Sequence, residues 1–407
     1  MTMNSTYSGP CILTINAGSS SIKFSLFTVP QENQLIVGQL DGIGHKSARF
    51  EFKWSGKSTK EVMFWTNDDE PKNHREALDF LIKWLNQIFS DIEIIAIGHR
   101  VVHGGQKYSS PIIVNDEIMQ ELESLLMLAP LHEPHNLAGI RAAQESFPGV
   151  PQVACFDTAF HRTHSFVNDC YAIPRSFYNA GVCRYGFHGL SYEYITERLV
   201  SMFPKESRGR VIIAHLGNGA SMAALKNCAS VASTMGFSSL DGLPMGTRCG
   251  DIDPGVLLYM MQHDGLDAEQ ISHILYKESG LKGLSGGLSN DMRTLESSDR
   301  PEAKEAIEYY VKEVKREIGS LSALLAGLDV LVFTGGIGEN SAIIRAKVLR
   351  EMAWIGIELD EDSNVEGETI ISSDKSKVLC LKIHTDEERI IARHAYELNR
   401  NKELVSS

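Results

Sequence analysis

The stretch that decides the fold is CILTINAGSSSIKFSLFTV, residues 11–29. Cys11–Ile15 is rich in apolar and β-branched residues, and Ile22–Val29 alternates apolar with polar residues, so two strands are predicted on either side of a tight turn. The turn, Asn16–Ser21, consists of small residues, which allow backbone N–H groups to approach an anion closely, and Lys23 adds a positive charge. The turn is therefore either a phosphate-binding segment or an ordinary β-hairpin; no Walker A motif occurs in the chain.

A second stretch repeats this plan. The apolar runs 211–216 and 220–224 flank the turn His215–Gly219, which is again made of Gly and Asn with a polar neighbour. Two such turns, one in each domain, could hold a polyphosphate from both sides. Elsewhere, apolar strands such as Ile92–Ile97 alternate with helical patterns, which predicts α/β layers. The helical patterns include Arg75–Phe89, Ile118–Met127 and Ala303–Ala326.

Length and charge narrow the possible classes of protein. A chain of 407 residues is too long for one ordinary core, so two domains are expected. Its 39 Lys and Arg against 52 Asp and Glu give a net charge of -13, which argues against binding to nucleic acid or to an anionic membrane. The sequence lacks an apolar run of transmembrane length, a signal peptide at Met1–Pro10 and any CxxC pair, so a reduced cytoplasmic protein is expected.

Single charged residues stand in glycine-rich or strand-end positions. Arg100 lies in GHRVVHGG and Arg248 in MGTRCGDID, and arginine in such loops can bind a carboxylate or phosphate through two parallel hydrogen bonds. A surface salt bridge is the alternative for either one. Asp157 follows the buried-looking strand Val150–Phe156, and this position favours substrate or metal chemistry.

Two helix starts are further candidates. Gly335–Asn340 follows a strand, and it is either a nucleotide-contacting turn or a plain loop before a helix. Ser341 breaks the GxGxxG pattern, which argues against an NAD-dependent dehydrogenase. Glu387 opens the last helix, where it either ligates Mg²⁺ or complements the helix dipole. Most of the histidines, including His161 and His164, are expected to be structural because they lack metal-site spacing.

Eight segments, in this order, resemble motifs of the acetate kinase family of acyl-phosphate-forming kinases. They are Ile15–Lys23, Ile97–Gly105, Ala129–His132, Phe156–His161, Arg184–Gly189, His215–Gly219, Met245–Asp253 and Phe333–Asn340. Together they span almost the whole chain. The resemblance implies an α/β fold of two duplicated ribonuclease-H-like domains of the actin/Hsp70 type, with a cleft between them. Expected domains are 1–155 plus 385–407, and 156–384.

The resemblance also implies an activity and a set of partners. The protein is expected to transfer the ATP γ-phosphoryl group reversibly to acetate by direct in-line transfer, giving acetyl phosphate and ADP, and to form a homodimer. Propionate or butyrate kinases of the same family, and a non-catalytic nucleotide-binding switch, are the alternatives. The resemblance implies Mg²⁺, with Mn²⁺ as a substitute, held by Asn16 and Glu387, and it places Lys23 at the phosphates.

Motif positions assign the remaining site residues. Arg100 would hold the substrate carboxylate, and Asp157 carries the family's acid/base position. His188 and Arg248 would stabilise the transition state. The pocket walls would be Val102, Leu131 and Phe187. The ATP contacts would be His215, Leu216, Gly217, Asn218, Gly219, Asp291, Met292, Arg293, Gly336, Ile337, Gly338, Glu339 and Asn340.

Chemistry fits these roles, and a few residues depart from the family pattern. A carboxylate nucleophile is ionised at neutral pH, so Asp157 is expected to orient ligands or Mg²⁺ rather than to abstract a proton. An intact Arg100 argues against a non-catalytic switch. The departures are Leu190 and Tyr192, where Thr and His are common, Ser239 in place of Pro, and Asp386 in place of Asn.

Overall fold

The computed structural model describes residues 7–45, 48–65, 69–89, 92–129 and 132–406. The chain separates into two compact units, Met1–Ala159 with Asp386–Ser407, and Phe160–Thr385. Within the described ranges, every helix is too short or too polar to cross a lipid bilayer.

Strands and helices alternate along the chain. The strands are β1 (Gly9–Ala17), β2 (Ser21–Thr28), β3 (Gln34–Asp41), β4 (Arg49–Trp54), β5 (Glu61–Phe64), β6 (Ile92–Val101), β7 (Ile112–Ile113), β8 (Gln152–Phe156), β9 (Arg210–Leu216), β10 (Ala220–Lys226), β11 (Ala229–Ser233), β12 (Val330–Thr334) and β13 (Leu379–Lys382). The helices are α1 (His74–Ile88), α2 (Asp116–Ser124), α3 (Glu133–Ser146), α4 (Phe166–Asp169), α5 (Arg175–Asn179), α6 (Gly189–Met202), α7 (Pro254–Gln262), α8 (Ala268–His273), α9 (Gly280–Leu284), α10 (Met292–Glu296), α11 (Pro301–Leu325), α12 (Gly335–Asn340), α13 (Ala342–Leu349), α14 (Glu361–Glu366) and α15 (Glu387–Ser406).

Both units contain the same five-stranded arrangement. In the first unit, β1, β2 and β3 are antiparallel neighbours, β6 is parallel to β1, and β8 is parallel to β6. In the second unit, β9, β10 and β11 are antiparallel neighbours, β12 is parallel to β9, and β13 is parallel to β12. Strands β4, β5 and β7 extend the first sheet to eight strands. This repetition confirms the predicted fold class.

An aromatic cluster fixes α1 on the sheet of the first unit. Trp84 packs edge-on against Phe50 and Phe52, with ring centroids 4.7 and 4.6 Å apart. Phe24 of β2, which is separated from β4 by β3, stacks 5.9 Å from Phe50. Each such pair adds roughly 0.5–1.5 kcal/mol beyond the burial of its area, so this cluster anchors the helix that follows the outer strands.

Helix α6 covers one face of the second sheet. Its residues Ile195 and Leu199 are buried with Val211, Ile213 and Val332 of β9 and β12. The parallel strands read as nearly continuous apolar runs because both of their faces are covered.

Several predicted elements have different ends in the structure. The strand expected at Ile92–Ile97 continues to Val101, so Arg100 lies within β6 and not in a loop after it. The helix expected at Ile118–Met127 is α2, which begins earlier because the Asn115 side chain caps it by accepting a hydrogen bond from the backbone N–H of Ile118.

Gly98 allows close packing between β6 and α15. A Cβ at Gly98 would lie 2.4 Å from Cγ2 of Ile391 and 3.0 Å from its carbonyl oxygen. Gly98→Ala is expected to lower the free energy of unfolding by about 1–3 kcal/mol, since either the helix or the strand must shift. Urea unfolding followed by circular dichroism measures this.

Gly319→Ala is the matched control. Gly319 lies inside α11, where a Cβ would have no neighbour nearer than 4.0 Å. Alanine at this position is expected to raise the free energy of unfolding by about 0.5–1 kcal/mol because glycine costs more backbone entropy in a helix. Equal effects of the two substitutions would contradict the packing argument.

Candidate active site

The first predicted turn lies between β1 and β2 in the expected register. Asn16 is paired with Lys23 across the two strands, and the Gly18 N–H donates to the Ser21 carbonyl at 2.8 Å. The carbonyl of Ala17 accepts a hydrogen bond at 2.9 Å from the side chain of Asn136 in α3. The turn is therefore fixed by its own backbone and by a neighbouring helix.

Arg100 and Asp157 form a buried ion pair at the ends of adjacent parallel strands. Arg100 donates from Nε to Oδ1 at 3.2 Å and from Nη2 to Oδ2 at 2.6 Å, and Asp157 is only 1% exposed. Burial acts to lower the pKa of Arg100, but the charges of Asp157 and Glu387 outweigh burial, so that this pKa is raised. The pair is not a surface salt bridge. Among the described residues, Nη1 of Arg100 has no hydrogen-bond partner, while Nε and Nη2 both donate to Asp157.

Asn136 connects two of the predicted segments. Its amide nitrogen donates to Ala17, and its amide oxygen accepts from the backbone N–H of Val102 at 3.0 Å. The predicted wall residue Val102 is thereby held against the first turn. Leu131, the second predicted wall residue, lies outside the described residues. No sequence pattern indicates the role of Asn136, because its two partners are far from it along the chain.

Glu133 is a buried carboxyl group next to this segment. Its Oε2 accepts from the backbone N–H of His103 at 3.2 Å, while its Oε1 is buried and makes no hydrogen bond with any described residue. Burial raises the pKa of Glu133 to about 8. The group is thus largely protonated at neutral pH. No motif in the sequence marks Glu133 as a site residue.

The predicted metal ligands supply one amide oxygen and one carboxylate. Asn16 is the next-to-last residue of β1, and Glu387 is the first residue of α15; both are partly buried in the same unit. Among the described residues, no group of three or more His, Cys, Asp or Glu could hold a metal ion. An amide oxygen and a carboxylate are hard oxygen donors, the kind that Mg²⁺ prefers.

Lys23 borders a cavity of the first unit. The cavity has a volume of about 300 Å³, and Gln39, Lys60 and Glu388 are among its lining residues. Glu388 accepts a hydrogen bond from Thr14 at 2.6 Å, and burial raises its pKa to about 7. Lys53 and Glu51 also line the cavity, so the charge around Lys23 is mixed and its place at the phosphates stays a prediction.

In the second unit, His188 and Arg248 approach the same glycine. A Cβ at Gly219 would lie 3.2 Å from His188 Nε2 and 2.7 Å from Arg248 Nη2. The His188 ring stacks on His215 with centroids 4.3 Å apart. The structure thus brings both predicted transition-state residues to the turn after β9, with the adjacent Phe187 buried in the same unit.

Beside this turn lies a cavity of about 730 Å³, within the usual size range of ligand pockets. Eight of the predicted ATP contacts line it: Gly217, Asn218, Asp291, Met292, Arg293, Gly336, Ile337 and Asn340. Asn290, Glu296 and Ser341 also line it, although the sequence analysis did not select them. Asn290, Glu296 and Ser341 are close in sequence to the predicted ATP contacts, and this closeness could have identified them as lining residues.

Some predicted ATP contacts have structural partners. The Glu339 carboxylate accepts hydrogen bonds from the backbone N–H groups of Gly335 at 2.9 Å and Thr385 at 3.1 Å. His215 Nδ1 lies 2.8 Å from Ser191 Oγ. Leu216 and Gly338 are buried next to the lining residues. These contacts hold the turns that border the cavity.

A family model described as the Acetokinase family matches residues 11–393. The chain belongs to the acetokinase family. It is similar to the acetate kinase of Methylocella silvestris, with 53% identity over 396 residues, covering 95% of this chain and 98% of that protein. The acetate kinase of Nitrobacter hamburgensis is 49% identical over 391 residues, covering 95% of this chain and 96% of that protein.

Solved structures of acetokinases share the whole fold. The acetate kinase of Porphyromonas gingivalis has a TM-score of 0.87 and 36% identity, covering 96% of this chain and 99% of that one. A propionate kinase from Francisella tularensis has a TM-score of 0.89 and 37% identity, covering 95% of this chain and 99% of that one. The resemblance stated from the motifs is confirmed, and the protein is a kinase.

Two of the departures from the acetokinase pattern have defined partners: Ser239 contacts Arg248, and Asp386 caps α15 and forms an ion pair with Arg389. Ser239 contributes its backbone carbonyl, which accepts a hydrogen bond from Arg248 Nη1 at 2.8 Å. Proline at this position could make the same contact. Asp386 accepts from the backbone N–H of Arg389 at 3.1 Å at the start of α15, as Asn could also do.

Glu133→Gln is expected to flatten the pH dependence of stability. The pKa of Glu133 is about 8 in the folded protein, above the ordinary glutamate value of 4.5, so the folded state keeps a proton that the unfolded state loses. The bound proton makes its full contribution to the free energy of unfolding below about pH 4.5. This contribution falls by on the order of 3 kcal/mol as the pH rises towards 8. Urea unfolding at pH 5 and pH 8 measures the difference.

Glu145→Gln is the matched control for this experiment. Glu145 lies in the same helix but is solvent-exposed and paired with Arg75. Its substitution is expected to leave the pH dependence as in the wild type. A wild-type slope in Glu133→Gln would contradict the assigned protonation of Glu133.

Proposed function

We propose that this acetokinase is an acetate kinase that transfers the ATP γ-phosphoryl group reversibly to acetate. The observation that carries this proposal is the approach of His188 and Arg248 to Gly219, in the turn that borders the larger cavity. The names of the curated relatives favour acetate over propionate. The alternative of a propionate kinase is supported by a similar solved structure but not by these relatives.

The reaction needs one bond formed and one broken. A carboxylate oxygen of acetate attacks the γ-phosphorus, and the bond from the γ-phosphorus to its bridging oxygen breaks, leaving its electron pair on ADP. Acetate is ionised at neutral pH, so no strong base is required. The buried ion pair between Asp157 and Arg100 supports an orienting role for Asp157, with Arg100 binding the acetate carboxylate.

Charge develops on the oxygens of the transferred group. N–H donors at His188 Nε2 and Arg248 Nη2 would stabilise that charge, and fixed donors of this kind are the main source of catalysis in phosphoryl transfer. Mg²⁺ or Mn²⁺, held by Asn16 and Glu387, would neutralise part of the phosphate charge. The ATP contacts proposed above would hold the nucleotide, and the use of ATP supports a cytoplasmic location.

A hydroxylamine trapping assay tests the function. With ATP, Mg²⁺ and acetate, the protein is expected to form acetyl hydroxamate, more rapidly than the propionyl or butyryl compounds form from their acids. A higher kcat/KM with propionate would favour the propionate kinase. Absence of any acyl hydroxamate, with ATP binding retained, would favour a nucleotide-binding protein without kinase activity.

Arg248→Ala tests the role of the transition-state donor. Turnover is expected to fall by about 10²–10³-fold, the usual effect of removing one such donor, while the KM for ATP changes little. Steady-state kinetics with acetate measures both values. Arg350→Ala, which removes an exposed arginine paired with Glu361, is the control and should behave as the wild type. Near-normal turnover in Arg248→Ala would remove this residue from its role.

We also propose that the protein forms a homodimer. Helix α7 supports this, because it is apolar and none of its residues is buried in the chain. Leu258 is 54% exposed and Met261 is 51% exposed, with Tyr259 between them also exposed. A helix with such an apolar surface is typical of a protein–protein contact.

Introducing charge on α7 tests this contact. The double variant Leu258→Glu/Met261→Glu is expected to convert the dimer into monomers, since two like charges per chain would have to be buried. Sedimentation velocity at micromolar concentration measures the species. Val365→Glu, at an exposed apolar residue of α14, should remain dimeric. A monomeric wild type, or a double variant that stays dimeric, would contradict the proposal.

A further inference from the structure

A chain of hydrogen bonds links His188 to Tyr192, one of the residues that depart from the family pattern. His188 Nδ1 lies 2.8 Å from Ser221 Oγ, and Ser221 Oγ lies 2.6 Å from the Tyr192 hydroxyl. Ser221 and Tyr192 are both 0% exposed. We propose that Tyr192 and Ser221 are positioning residues that hold His188 in the form that carries its hydrogen on Nε2. This inference rests on the proposed function for its meaning in catalysis.

Counting the available protons shows which group donates in each of these two hydrogen bonds. Tyr192 has one hydroxyl proton, and Ser221 Oγ is the hydroxyl's one hydrogen-bond partner among the described residues. The ring lies in the apolar cluster of α6, β9 and β12, so an O–H that pointed away from Ser221 would be buried without an acceptor. Tyr192 therefore donates to Ser221, whose own proton goes to His188 Nδ1. Burial also raises the pKa of Tyr192, which keeps this proton in place.

A histidine whose Nδ1 accepts a hydrogen bond carries its proton on Nε2 in the neutral ring. Nε2 is the ring nitrogen that approaches Gly219, where a Cβ would lie 3.2 Å from it and 2.7 Å from Arg248 Nη2. The opposite form would present a lone pair there, which would repel phosphate oxygens. The hydrogen bonds from Tyr192 to Ser221 and from Ser221 to His188 thus make His188 a second N–H donor, in addition to Arg248.

Backbone geometry places the three residues together. His188 precedes α6 with φ 57°, and Tyr192 lies one turn later, where its N–H donates to the His188 carbonyl at 3.1 Å. Ser221 is paired with His215 across β9 and β10. Cross-strand partners face the same side of a sheet. His188 can therefore stack on His215 and form a hydrogen bond with Ser221 at the same time.

Tyr192→Phe is the first test. It removes the first donor while keeping the ring, so kcat is expected to fall about tenfold, while KM for acetate and ATP stays within about twofold. Ser221→Ala should lower kcat further, and Ser221→Thr, which keeps a hydroxyl, should recover most of it. Tyr310→Phe is the matched control, because this tyrosine is fully buried and its hydroxyl has no hydrogen-bond partner among the described residues.

Nitrogen NMR of ¹⁵N-histidine-labelled protein is the second test, and it does not depend on turnover. The wild type is expected to show the hydrogen of His188 on Nε2, and Tyr192→Phe a mixture of the two forms, with His188→Asn used for assignment. A wild-type hydrogen on Nδ1 would overturn the proposal even if the protein is an acetate kinase. Loss of thermal stability in Tyr192→Phe with unchanged kcat and unchanged NMR would also overturn it. Failure of the wild type to form acetyl hydroxamate would instead count against the proposed function alone.

Discussion

Strand β6 pairs in parallel with β1, and β12 pairs in parallel with β9 in the same way. The positions of the predicted site residues within each unit depend on these two pairings. In the first unit, Ile15 is paired with His99 and Arg100 with Cys155, so that the ends of β1, β6 and β8 lie at one edge. In the second unit, Thr334 is paired with His215, which places α12 beside the turn after β9. Shifting a strand by one residue would turn every side chain to the opposite face. The register therefore determines which distant residues of each unit become neighbours.

This arrangement requires charges to be buried where the strands end. Removing Asp157 and Arg100 from water is costly, and the bidentate contact offsets that cost only while both partners remain. Such a pair adds little to the stability of the fold. The cost of burying this pair and the protonated Glu133 must be offset by favourable packing elsewhere, such as the aromatic cluster around Trp84.

The sequence predicted those parts of the fold whose signals are local. Strands β1, β2, β9, β10 and β12 were predicted because apolar runs flank turns of small residues, and the same turns marked the site. Strand β5 was not predicted, since all four of its residues are exposed and its pairing depends on β4. The role of Asn136 depends on contacts to residues 119 and 34 positions away, and no sequence pattern encodes such separations. The link from Tyr192 to Ser221 escaped prediction for the same reason.

The structure also changes how the departures from the family pattern bear on the choice of acid. Ser239 acts on Arg248 through a backbone carbonyl, and Tyr192 acts on His188 through Ser221. Both contacts concern donors for a developing phosphate charge, and neither alters the guanidinium that would bind a carboxylate. A difference of one methylene in an apolar pocket changes binding by only about 1–3 kcal/mol. A difference of this size is small, and the two contacts described here, one from the Ser239 backbone and one through Ser221, concern Arg248 and His188 and supply no preference for either acid.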